Sequence, residues 1–293
     1  MKLVSYNIQY GFGKDGKNDL ARTVAEIRGA DIIALQEVER HWKRTGYADQ
    51  AAEIARMLPD YHWVYGPGAD MDASIPGPDG KLLHRRRQFG NMLLSRAPII
   101  TSRNHLLPKF GTLTQFSLQR CALEGVIATS EGTLRVYSIH LSHLADDSDR
   151  APQVDRILEI HARAFGEGGA WCGGHPNPDA GWTEGGEPPM PREAVLMGDF
   201  NFPPTSPLYA RIVGPRALQY GRMNNRDGFV DAWVASGHGE DEGITCASDS
   251  FNFSKRIDYC YVSAGLRAKI KSARIDDKAV ASDHQPIWTE LDL

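Results

Sequence analysis

The 293-residue chain has a formal net charge of −4 and is 41% hydrophobic and 24% charged, the balance of an ordinary globular protein with enough apolar residues for a sizeable core. So small a net charge argues against an overall nucleic-acid or anionic-membrane binder, although it allows a local basic groove. No apolar run is long enough to span a bilayer.

From the N-terminus, Lys2–Ile8 and Asp31–Gln36 read as buried strands, with an amphipathic helix over Leu20–Ile27 between them, capped by Asn18 or Asp19. Gln50–Met57 reads as a helix and Tyr61–Tyr65 as a strand. Gly66 to Gly80, rich in Gly, Pro and Asp, reads as a long loop before the strand Asn91–Ser95. Ala122–Ile127 and Leu134–Ile139 form a hairpin around Ser130-Glu131-Gly132. A helix over Gln153–Phe165 is followed by a Gly/Pro-rich insertion from Gly166 to Pro191 and the strand Ala194–Met197. No repeat or linker divides the chain, so one domain over residues 1–293 is expected. The start, Met1-Lys2-Leu3-Val4, lacks the regions of a secretory signal, and Cys121, Cys172, Cys246 and Cys260 form no Cys-x-x-Cys pair. Buried free thiols and a cytoplasmic location are the expectation.

Three apolar segments end in polar clusters. Ile32–Gln36 runs into Glu37, Ala194–Gly198 into Asp199-Phe200-Asn201, and Ala281-Ser282 into Asp283-His284. Strand ends are where an α/β sheet presents chemistry, and carboxylates, an amide and an imidazole brought there suit a hard divalent cation and a phosphoryl group. A carboxylate closing an apolar strand is costly unless it meets water, a cation or a donor, which marks Glu37 as a metal ligand, with Asn7 beside it. Asp199 and Asn201, two apart, project to one side if the strand continues; an Asx turn before Pro203-Pro204 is the structural alternative. His284 suits proton transfer near neutral pH, and Asp258 is a candidate to orient it. His140 sits at another strand end.

A competing signal is Gly11-Phe12-Gly13-Lys14-Asp15-Gly16, which matches the dinucleotide fingerprint G-x-G-x-x-G, with Glu37 standing about 20 residues on. An oxidoreductase built on Gly11, Gly13 and Gly16 leaves the later clusters unexplained. The plainer reading is a glycine-rich turn.

Taken in order, Ser5-Tyr6-Asn7, Leu35-Gln36-Glu37-Val38, Ile139-His140-Leu141, Gly198-Asp199-Phe200-Asn201, Arg256-Ile257-Asp258-Tyr259 and Ser282-Asp283-His284 resemble the motifs of the endonuclease/exonuclease/phosphatase superfamily, over nearly the whole chain. Arg120, Arg150 and Gln153 add lesser matches. The resemblance implies an α/β four-layer sandwich of two packed mixed β-sheets flanked by helices, with the site at one edge. It implies a hydrolase of phosphate esters using Mg²⁺ or Mn²⁺, with Glu37, Asn7, Asp283 and Asp199 at the metal. Asp199 would activate water and Asn201 would hold the phosphate. His284, oriented by Asp258, would act as general base or charged stabiliser. His140 would protonate the leaving oxygen or donate to the phosphoryl group.

Arg120, Arg85, Arg86 and Arg87 are the candidate substrate-binding cations, the last three as a basic turn beside the long loop. Trp171 and Trp182 in the second insertion would cover a substrate or anchor their loop. Without a broad basic run, a small-molecule, lipid-headgroup or other non-duplex phosphodiester is expected, with a DNA or RNA nuclease as the alternative.

Overall fold

The structure, a computed structural model, describes residues 1–144, 146–248 and 253–293. Twelve strands make its two large sheets: β1 Lys2–Asn7, β2 Ile32–Arg40, β3 His62–Asp72, β4 Arg86–Ser95, β5 Ile99–Leu106, β6 Cys121–Thr129, β7 Gly132–His140, β8 Ala194–Asp199, β9 Phe229–Asp231, β10 Asp258–Ser263, β11 Ile270–Ile275 and β12 Ile287–Leu291. The first sheet runs β11-β12-β1-β2-β4-β3 and the second β9-β10-β8-β7-β6-β5. Each holds one parallel pair, β1 with β2 and β7 with β8, among antiparallel neighbours.

Three apolar layers follow from strands buried on both faces. Leu3, Ala34 and Leu93 of the first sheet pack between the sheets against Val136, Val195 and Val262 of the second. On the outer face of the first sheet, Val4, Ile33 and Leu94 meet Val24 and Ile27 of α1 (Leu20–Ile27) and Ile54 of α2 (Gln50–Met57). On that of the second, Tyr137, Ile139 and Leu196 meet Val154 and Ile157 of α3 (Asp147–Glu167) and Leu208 and Ile212 of α4 (Pro207–Val213). The result is the four-layer α/β sandwich of two mixed sheets flanked by helices. No helix among the described residues is long and apolar enough to cross a membrane.

Helix α1 buries Leu20, Thr23, Val24 and Ile27, the spacing of one helical face, and Asp19 rather than Asn18 caps it by accepting from Arg22 N. Helix α3 begins six residues before the expected Gln153, because Asp146 caps it and Pro152 lies inside it. The region from Gly66 to Gly80 departs most from expectation. Strand β3 continues through Asp72 by pairing with β4, and Ile75–Pro76 pairs with Leu82–Leu83 as a small ribbon. Glycine there marks close approach: a Cβ on Gly90 would stand 2.1 Å from Gly66 O. Strand β5, absent from the sequence reading, is an edge strand with alternating exposure.

The fingerprint-like glycines form a packing turn. A Cβ on Gly13 would strike the Arg22 guanidinium and Val280 O, while Asp15 pairs with Arg22. Lys14 Nζ donates to Ala279 O at 3.0 Å. All four cysteines are free; Cys121, Cys246 and Cys260 are buried, but Cys172 is exposed, contrary to expectation.

Register brings the polar strand ends together. Asp199 stands opposite His140 on one side and Asp258 on the other, and Asn7 is opposite Gln36, next to Glu37. Gly198 makes this possible. Its φ is +153°, and a Cβ there would lie 1.8 Å from Ile139 O. Gly198→Ala should therefore lower stability by about 3 kcal/mol or more, and the thermal midpoint by roughly 5 °C or more. Gly174→Ala, where nothing lies within 4 Å, should leave the midpoint unchanged in the same calorimetric scan.

Candidate active site

The turn after β1, the bulge within β2, the ends of β7 and β8 and the turn before β12 open into one pocket of about 740 Å³, lined at its floor by Glu37, Arg120, His140, Asp199, Asp283 and His284. Two devices aim the carboxylates. In β2 the pairing with β4 shifts register between Leu35 and Val38, and on this bulge Glu37 takes a left-handed φ of 61°. Its neighbour Gln36 points the other way and donates to Ser138 Oγ of the opposite sheet at 2.9 Å. At the end of β8, Asp199 Oδ1 accepts from Asn201 N at 2.9 Å, an Asx turn that sets Asn201 at φ 55°. Asp199 and Asn201 thus meet through a turn and not by strand alternation, and the structural alternative coexists with the site.

Asp199 is the hub. Its Oδ2 accepts from Asn7 Nδ2 at 3.0 Å and Asn201 Nδ2 at 3.2 Å, and lies 3.5 Å from His140 Nε2 and 3.8 Å from His284 Nε2. The other amide hydrogen of Asn201 reaches Leu141 O at 3.1 Å, so both are used within the protein. His284 Nδ1 lies 2.9 Å from Asp258 Oδ2, which fixes the ring and leaves Nε2 facing Asp199. Gln9 Nε2 holds Asp283 Oδ2 at 3.0 Å. Arg150 and Gln153 act at one remove: Gln153 Oε1 accepts from Ser142 N and the Arg150 guanidinium donates to Ser142 O, shaping the segment after His140.

Burial raises the pKa of the Glu37 carboxyl, which the Arg120 charge only partly offsets. Burial also raises that of Asp199, reinforced by the charge of Asp258. Burial opposes a charge on His284, but Asp258 and Asp199 outweigh it and hold the imidazole well above its usual range. For His140, burial and the Arg120 charge act together to keep the ring neutral. Arg120 Nη1 lies 3.0 Å from its Nδ1, and Nη2 lies 3.0 Å from His143 Nδ1.

The donor set fits a hard divalent cation. Glu37, Asp199 and Asp283 offer carboxylate oxygens and Asn7 an amide, and the raised carboxyls of Glu37 and Asp199 mark negative charge that the protein alone under-compensates. Ligating atoms of Asp199, Asp258 and His284 lie within 4.8 Å of one another, as do those of Cys246, Asp283 and His284.

The remaining candidates separate. Arg120 lines the pocket, but Arg85, Arg86 and Arg87 do not. Arg86 and Arg87 belong to β4 and not to a basic turn, opposite Asp72 and Met71, and Arg86 is paired with Asp70 at 2.8 Å. Trp171 and Trp182 lie outside the pocket lining, and Trp182 is exposed. The sequence reading missed Tyr10, Trp42, Arg44 and His143, which line it. A Trp and an Arg five and seven residues after Glu37 were the only signal.

The sequence model of the endonuclease/exonuclease/phosphatase family matches residues 4–284. Among solved structures, a family protein from Leptotrichia buccalis is 20% identical with a TM-score of 0.63, the match covering 100% of both chains. One from Bacteroides vulgatus is 18% identical with a TM-score of 0.65, covering 100% of this chain and 98% of that one. A 3′ phosphatase from Neisseria, bound to a product DNA hairpin, is 16% identical with a TM-score of 0.56, covering 100% of both. No curated protein sequence matches. Such identities speak for the fold, and the family match, spanning nearly the whole chain, decides the class. The chain belongs to the endonuclease/exonuclease/phosphatase family and is a metal-dependent hydrolase of phosphate ester bonds.

Proposed function

We propose that the protein is a phosphodiesterase, working with Mg²⁺ or Mn²⁺, that cleaves a small, lipid-headgroup or other non-duplex substrate by in-line attack of water, and that residues 1–293 act as one domain. The observation that carries this reading is the pocket: the polar cluster lies at its floor, and its walls include Trp42, Met71, Phe89, Phe116 and Leu118 instead of a basic track.

A divalent cation held by Glu37, Asp199, Asp283 and Asn7 supplies Lewis acidity toward a phosphoryl oxygen and lowers the pKa of the attacking water. Asp199 takes the proton of that water, and Asn7 and Asn201 hold it in position. His284, kept charged by Asp258, offers Nε2–H to the charge that develops on the phosphoryl oxygens. Neutral His140 and the buried Arg120 donate hydrogen bonds on the opposite side. Asn201, beside Asp199 and hydrogen-bonded to it, would hold the phosphate.

A DNA or RNA nuclease is the second reading, favoured by the Neisseria phosphatase on its DNA hairpin. Salt separates the two. Hydrolysis of bis-p-nitrophenyl phosphate should change little between 50 and 200 mM salt, whereas an enzyme neutralising six or more phosphates of a duplex loses about 1,000-fold or more in affinity. Plasmid preferred over every small ester, with that steep dependence, would move the assignment to a nuclease.

Stripping the protein of metal with a chelator should abolish turnover, and Mg²⁺ or Mn²⁺ should restore it. Glu37→Gln should raise the metal concentration needed for half-activation by about tenfold or more, with an unchanged circular dichroism spectrum. Full activity of the stripped protein in excess chelator would refute the metal role.

His284→Ala and Asp258→Asn should each lower kcat by about 1,000-fold or more. The double variant should be no more than about tenfold worse than His284→Ala, because the two side chains work as one unit. Losses that multiply would give Asp258 a separate task.

A further inference from the structure

One wall of the pocket is made of planar groups that the hydrolytic chemistry does not use. Tyr10, Arg44 and Trp42 all line it. The Arg44 guanidinium lies 3.9 Å from the centre of the Tyr10 ring and 5.0 Å from that of Trp42, so it stacks with both. Each is held in place. Arg44 is gripped by Glu39, whose side chain is fully buried and whose backbone N–H donates to Gln50 Oε1 at 2.9 Å. The amide of the same Gln50 donates to Tyr10 O at 2.7 Å. Trp42 Nε1 donates to Gln88 O at 2.8 Å. Tyr10 sits at a left-handed φ of 44°, a conformation that a non-glycine residue keeps only where its surroundings hold it. The Glu37 charge acts on both Tyr10 and Arg44, which puts this wall beside the metal-binding side of the floor.

Building on the functional reading above, we infer that the Tyr10–Arg44–Trp42 wall is a substrate-recognition subsite for a planar aromatic ring carried by the phosphate ester, a nucleobase or an aryl group. The arrangement discriminates among substituents. Two aromatic rings alone would also suit a quaternary ammonium headgroup. With the Arg44 guanidinium against both rings and that of Arg87 5.8 Å from the centre of Trp42, the wall repels a second cation, while the parts of Tyr10, Trp42 and Arg44 that line the pocket offer planar surface to a neutral ring. Glu39 holds Arg44 from the buried side while 43% of the Arg44 side chain stays exposed, so its planar, cationic group remains on the pocket wall. Stacking of a ring on such groups contributes about 1–3 kcal/mol.

The test reads binding and not turnover, using calorimetric titration of the full chain in Mg²⁺. AMP and ribose 5-phosphate differ by the base alone, and phenyl and methyl phosphate by the ring; phosphocholine is the cationic probe. AMP should bind about tenfold or more tightly than ribose 5-phosphate. Trp42→Leu should bring the two within about threefold, and so should Arg44→Lys, which keeps a charge opposite Glu39 but loses the planar face. The midpoint of thermal unfolding reports whether each variant is folded. An advantage confined to phenyl over methyl phosphate would assign an aryl group instead of a nucleobase. The subsite is refuted if neither ringed ligand binds better than its ringless partner, if the advantage survives in both folded variants, or if phosphocholine binds better than ribose 5-phosphate. Failure to hydrolyse bis-p-nitrophenyl phosphate, with the AMP preference intact, would overturn the phosphodiesterase reading and leave the subsite standing.

Discussion

The hydrogen bond from Asn7 Nδ2 to Asp199 Oδ2 joins the two sheets at the edge where they must be held in register. Elsewhere they meet through Leu3, Ala34, Val136 and Val195, a contact with little directional preference that tolerates small slips. At the catalytic edge the contact becomes polar and therefore specific. Gln36 donates to Ser138 Oγ, Ser138 Oγ donates back to Leu35 O, and Asn91 Nδ2 donates to Ser138 O and Cys121 O. A buried amide or hydroxyl left unpaired costs about 1–3 kcal/mol, so a slip that broke several of these bonds would be strongly resisted. The seam fixes Glu37, from one sheet, against Asp199, from the other.

Strain is concentrated at the same edge. Among the described residues six non-glycine residues have positive φ, and four of them, Gln9, Tyr10, Glu37 and Asn201, line the pocket. The surrounding structure absorbs it by over-determining each: Gln9 N donates to Asn7 Oδ1, and Asn201 N to Asp199 Oδ1. Charge is handled likewise. Carboxylates gathered in a buried floor oppose one another's ionisation, and the imidazolium of His284 and the guanidinium of Arg120 only partly relieve them. A divalent cation there would complete the balance and supply the reactive centre, so on the proposed reading the site's electrostatic deficit and its chemistry have one origin.

What could be read in advance followed from where each feature is encoded. Glu37, Asp199 and His284 end or follow apolar runs, a local pattern visible in any window of about ten residues, and their convergence follows from β1–β2 and β7–β8 being parallel pairs. Helices α1 and α2 were equally legible because their caps and apolar faces lie within eight residues. Strand β5 was not. Its sequence, Ile-Ile-Thr-Ser-Arg-Asn-His-Leu, has only three aliphatic residues, and β6 holds it at the sheet edge through main-chain pairing. The residues of β3 beyond Tyr65 were hidden for the same reason: Gly66, Pro67 and Gly68 signal a turn locally but extend the strand because β4 lies alongside.

The substrate wall escaped the sequence for a further physical reason. Trp42 and Arg44 stand on a short 3₁₀ turn, Lys43–Thr45, entered through His41 at φ 58°, and their relation to Tyr10 depends on Gln50 reaching across from α2. No spacing rule links positions 10, 42, 44 and 50; only the assembled fold does. The carboxylate and histidine cluster, by contrast, is fixed largely by strand register, with Asp199 opposite both His140 and Asp258. Chemistry and specificity are thus encoded differently, the first in strand ends that must align for the fold to form, the second in turns that are free to vary once it has. On the inference drawn above, the Tyr10–Arg44–Trp42 wall would carry information about the substrate that the carboxylate and histidine floor cannot, because that floor would serve any phosphate ester able to reach it.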